Sequence, residues 1–204
     1  MATKLSTVIA AAPETDLAVV AAMASQFESY IMRGEVYRTV AVTTASQVEE
    51  RVQSSSGDIL GRLHKLTAQS DELTAEQKQT MADAKARIDE VTAQLPSHYQ
   101  ALLLREARAR LNSLQWYLDD CQENRRECRV QYPFEIRNRQ RIGEIGKALD
   151  AAGARALAPQ LEGIDLRLRR LTRGGEFVWE ASVAHVYPDS EYWYLYALPV
   201  GPDP

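Results

Sequence analysis

In three stretches of this chain the apolar residues recur at alternating intervals of three and four, which keeps them on one stripe of an α-helix turn after turn. The first stripe is Leu17, Val20, Ala24, Phe27 and Ile31, and the second is Met81, Ala84, Ile88, Val91 and Leu95. The third runs Leu104, Ala107, Leu111, Leu114, Leu118 and Cys121, with Cys128 on the same seam one heptad further on. Between Val48 and Leu73 a less regular fourth stripe has Val52, Ile59, Leu63, Leu66 and Leu73. Narrow apolar stripes bury themselves against one another, so the spacing predicts a mainly α protein with an antiparallel four-helix bundle over residues 15–130.

The residues between the stripes agree with that division. Asp16 or Thr15 can start the first helix and Gly34 can end it, because glycine accepts the left-handed conformation that closes a helix. Thr74 and Gln77 have the spacing of a capping box, and Pro96 with Ser97 marks the next boundary. Ser54, Ser55, Ser56 and Gly57 are expected to kink or interrupt the second helix. The β-prone stretch from Glu35 to Thr44 is expected to be either an ordered loop across the bundle end or a third strand beside the C-terminal hairpin. Tyr132 and Pro133 break the fourth helix. A fifth, with Ile142, Ile145 and Leu149, runs from Pro133 to Gly153, and a sixth begins near Pro159. Residues 1–14 read as a flexible tail, and residues 131–204 as a helical cap that forms one compact unit with the bundle.

The cap ends in an aromatic segment. Seven of the fifteen aromatic residues lie between Phe177 and Tyr196. Phe177, Trp179, Val183 and Tyr187 alternate with Val178, Glu180 and Val186; after Pro188, Asp189 and Ser190, Tyr192, Tyr194 and Tyr196 alternate with Trp193 and Leu195. Period two predicts a C-terminal β-hairpin. An isolated hairpin is marginal in water, so one aromatic face is expected to pack on the protein's own helices, leaving the other for a partner.

Charge is unevenly spread. Residues 105–173 carry 15 Lys/Arg, of which 14 are arginine, against 10 Asp/Glu, whereas the last 31 residues carry five acidic groups and no basic one. An overall pI near 5.5 argues against a dedicated nucleic-acid binder. No apolar run reaches the roughly 18 residues of a membrane span. Cys121 and Cys128, seven apart on one continuous helix, are expected about 10 Å apart and unpaired, which suits a reducing, cytoplasmic setting.

Chemistry-bearing motifs are scarce. The three histidines His64, His98 and His185 lack the Glu-x-x-His spacing of a bundle metal site, so no metal and no cofactor is expected. Gly-x-Ser-x-Gly, phosphate-loop and dinucleotide patterns are missing, so no catalytic residue is assigned. A pairing of His185 with Glu180 or Glu191 is the strongest acid–base candidate. The expected function is therefore a non-enzymatic protein–protein interaction module, an adaptor, scaffold or assembly subunit. It would bind a protein or a second copy through Trp179, Tyr187, Tyr192, Trp193, Tyr194, Tyr196, Arg137 and Arg141. The alternative is a small-ligand or nucleotide-binding protein, or a divergent enzyme, with a pocket between hairpin and bundle.

Overall fold

The computed structural model describes residues 13–43 and 49–201. The expected N-terminal tail lies outside them up to residue 12. The chain divides into two compact units, one ending at Glu106 and the other starting at Ala107.

In the first unit, α1 (Pro13–Ser25) and α2 (Phe27–Arg33) carry the first stripe, and Leu17, Val20, Ala24, Phe27 and Ile31 are all buried. Gly34 closes α2 as expected, with φ of 65° and its N–H donated to the carbonyls of Ile31 and Tyr30. Asp16 is not a cap: it sits inside α1 and is buried against Arg62 and Lys65. The β-prone stretch forms β1 (Arg38–Thr43), which pairs antiparallel with β2 (Glu49–Ser54). β2 replaces the start of the expected second helix. In that register Val40 faces Val52 and both are buried with Val42, while the alternate residues reach solvent, so β-branched side chains gain a dry face that a helix would split.

The serine run is then a helix start rather than a kink. α3 (Ser56–Ala68) is capped by Ser55, whose hydroxyl accepts from the Asp58 N–H. The Thr74–Gln77 capping box is present in both directions at the start of α4 (Ala75–Gln94), and α5 (Pro96–Glu123) begins at the expected proline. α1 packs on α4, α3 and β1. Each apolar stripe has a helix beneath it, but β2 interrupts the second and α5 runs from one compact unit into the other. A single antiparallel four-helix bundle is not established by this arrangement.

In the second unit the long fourth helix breaks at Asn124, whose backbone leaves helical geometry and whose side chain accepts from the Glu127 N–H to start α6 (Arg125–Glu135). The break overturns the distance expected between the cysteines. Cys121 and Cys128 are 4.9 Å apart between Cα atoms and form a disulfide. The 1.5 Å rise per residue applies only within one helix, and here the axis turns between them. The ground for expecting a reducing compartment is thereby removed.

Pro133 lies within α6, and α7 (Arg137–Ala148) follows. Gly153 does not end a helix and Pro159 does not begin one; both lie within α8 (Ala151–Leu171). α8 starts early because Asp150 caps it, accepting the Gly153 N–H at 2.7 Å. The chain is mainly α and ends in a two-stranded antiparallel sheet, β3 (Thr172–Gly174) with β4 (Ala197–Pro199). Those strands bracket the aromatic segment rather than running through it. Between them lie a 3₁₀ turn at Ala181–Val186, the short helix α9 (Asp189–Tyr192) and a second 3₁₀ turn at Trp193–Tyr196.

Candidate functional site

The aromatic segment folds as a ring cluster instead of a pleated ribbon, and tyrosine hydroxyls tie its backbone carbonyls in place. Tyr132 donates to the Tyr194 carbonyl at 2.7 Å, and Tyr196 donates to the carbonyls of Tyr187 and Ala184 at 2.9 and 3.2 Å. Three ring pairs meet edge to face, as aromatic quadrupoles favour: Tyr187 against Tyr192 at 5.1 Å, Tyr192 against Tyr194 at 6.2 Å, and Trp193 against Tyr194 at 5.7 Å. Adjacent residues 193 and 194 would lie on opposite faces of a strand; here they touch.

This packing sorts the residues singled out from sequence. Tyr187, Tyr192 and Tyr194 are buried and serve the core of the second unit. Trp179 is half-buried, with its indole N–H donated to the Pro133 carbonyl at 2.8 Å and its ring against Phe177 and Tyr187. Arg137 lies 3.9 Å over the Phe134 ring. Arg141 is buried and donates to the Gln140 side-chain oxygen. Trp193 and Tyr196 remain half-open to solvent. His185 and Glu180 are exposed on the 3₁₀ turn and its flank, and Glu191 is held by Lys147 at 2.6 Å. Among the described residues no group of three histidine, cysteine or acidic side chains is placed to hold a metal ion.

Partly buried charges fix the back of the cluster. Arg139 grips Asp165 with two bonds of 2.6 and 2.9 Å, and its guanidinium lies 4.7 Å from the Tyr194 ring centre. Burial pushes the Tyr194 hydroxyl well above the usual phenol range, partly opposed by Arg139. Tyr192 is pushed up in the same direction by burial and then by its own bond to Glu144, since a phenol that donates to a carboxylate resists ionising.

The front of the cluster is an open groove of about 450 Å³, lined by Arg169, Thr172, Arg173, Gly174, Asp189, Trp193, Tyr196 and Ala197. The last turn of α8 and β3 form one wall, and α9 with the following 3₁₀ turn forms the other. The Arg169 guanidinium lies 3.8 Å from the Trp193 ring centre. Arg173 donates to the Thr172 carbonyl at 2.8 Å. Neither arginine has a carboxylate partner among the described residues, whereas Arg139 and Arg167 hold Asp165 and Asp119. Only Trp193 and Tyr196 of the eight residues chosen from sequence line this groove. Arg169 and Arg173 belong to the arginine-rich stretch 105–173. The i, i+4 spacing between them, at a helix end followed by an aromatic segment, was the available signal.

No protein family, curated protein or solved structure matches the chain. Any reading of function rests on the geometry just described. Among the described residues, no helix is long and apolar enough to cross a membrane.

Proposed function

We propose that the protein is a non-enzymatic protein–protein interaction module whose contact surface is the open front of the C-terminal aromatic cluster. The observation that carries this reading is the stacked Arg169–Trp193 pair at the mouth of the groove. Tryptophan and arginine are among the side chains that most often dominate binding energy at protein interfaces, and here they meet across the groove, with Trp193 stiffened from behind by packed tyrosine rings. The neighbouring aromatics are spent on the core, so the contact surface is narrower than the whole segment.

A photo-crosslinking residue placed at exposed Ser190, beside the groove, tests the reading; the same residue at exposed Gln122 is the control. The expected result is a discrete product from position 190 alone, containing one identified protein, either a second copy or a different chain. The complex is then rebuilt from purified components, and Trp193→Ala weakens it tenfold or more. Identical products from both positions, or a rebuilt complex indifferent to Trp193→Ala, would overturn the proposal.

A further inference from the structure

We infer that the groove recognises a carboxylate, and that its occupant is an acidic extended segment of a partner protein; this rests on the interaction reading above. The Arg169 guanidinium spends one flat face on the Trp193 ring. Stacking fixes the plane of the group without using its N–H donors, which point outward along the edges. A guanidinium fixed in plane presents the planar fork that a carboxylate meets with two parallel bonds. Arg173, on the same wall, adds a second cation that donates to the Arg170 and Thr172 carbonyls. Elsewhere in this unit Arg139 and Arg167 have their own acids; among the described residues these two do not.

Asp189 narrows the class of ligand. It stands in the same groove, so two cations face one anion there. That balance suits a singly charged carboxylate better than a phosphate dianion, which would meet Asp189 with twice the repulsion. Asp189 also offers an acceptor to a donor on the ligand, and a backbone N–H next to an acidic side chain supplies one. The groove is open rather than enclosed, as a continuous chain passing through requires, and Tyr196 with Ala197 gives it an apolar floor.

The test titrates the full chain with a capped hexapeptide of alternating Asp and Glu, a matched Asn and Gln peptide, and inorganic phosphate, following the Trp193 indole N–H resonance by NMR. The expected result is a saturable shift with the acidic peptide, weakened at least tenfold by Arg169→Gln and by Arg173→Gln, both exposed positions whose replacement leaves the core intact. The amide peptide leaves the resonance unmoved, and phosphate competes poorly. Equal binding of acidic and amide peptides, no response at millimolar acidic peptide, or stronger competition by phosphate would each overturn the carboxylate assignment. The crosslinking experiment separates the two levels. A rebuilt complex that depends on Trp193 but not on Arg169 or Arg173 sinks this inference and leaves the interaction reading standing.

Discussion

Reducing the Cys121–Cys128 disulfide should cost about 2.5 kcal/mol of stability. The bond links residues seven apart, closing a ring of eight, and the loss of chain entropy from an unfolded segment of that length gives this magnitude at 25 °C. Both sulfurs are buried, and Tyr117 donates to the Cys128 carbonyl at 2.6 Å, so the surroundings of the bond are also ordered. The measurement is urea unfolding with and without a phosphine reductant, with thiol labelling to verify that the bond is open. For a slope of about 2 kcal/mol per molar urea, the midpoint should fall by about 1 M. Hydrogen exchange should locate the loss in residues from Ala107 onward, where the bond lies.

A competing outcome follows from the sequence itself. Leu118, Cys121 and Cys128 keep one helical seam, so the reduced chain has the option of running α5 into α6 without the break at Asn124. If it did, the gained helical bonds would offset part of the entropy, and the far-ultraviolet helix signal would rise on reduction. An unchanged midpoint with an unchanged helix signal, with both thiols shown to be free, refutes the loop-closure reasoning.

Two further outcomes follow from buried polar groups. Tyr30, Tyr99, Tyr117, Tyr132, Tyr192 and Tyr194 all have hydroxyls pushed upward by burial. In the unfolded chain they ionise near pH 10, so above that the unfolded state has released protons the folded state still holds, and stability is lost as pH rises. Phenolate absorbance should therefore lag behind the free-tyrosine curve and then appear together with the loss of circular dichroism; smooth ionisation with the fold intact contradicts it. Glu106 is fully buried and accepts from the Ser55 hydroxyl at 2.6 Å and the Gly57 N–H at 3.0 Å, placing a carboxylate on the start of α3. Glu106→Leu should cost about 3 kcal/mol in urea unfolding, and Glu106→Gln, which keeps an acceptor, clearly less; equal costs for the two remove the hydrogen-bonding account.

The helices were legible because their signals are local. The capping box at Thr74 and Gln77, the proline at position 96 and Gly34 act within one turn of themselves, and each stands where the spacing puts it. What escaped depends on partners distant in sequence. Val52 fits a helical stripe as well as it fits a strand, and the decision belongs to Val40, twelve residues earlier, which faces it. Asp16 reads as a cap until Arg62 and Lys65 are brought to it. Asn124 carries no strong stop signal, and its effect on the helix axis is what allows two cysteines on one seam to meet.

The aromatic segment shows the same division at the level of function. Its alternation predicts a ribbon with two usable faces, because period two is a statement about backbone direction alone. The segment instead turns through two 3₁₀ turns and a short helix, and Tyr132 and Tyr196 tie three of its carbonyls with phenol groups. Once those bonds form, the rings are free to pack on one another, and Tyr187, Tyr192 and Tyr194 become core. The surface left over is small, and it is defined less by tyrosine than by where α8 ends. Its last turn places Arg169 over the half-open indole of Trp193, and the four residues to Arg173 carry the chain into β3, back along the same groove. The arginine run and the aromatic run, which the sequence presents as two neighbouring features, are therefore the two walls of one site.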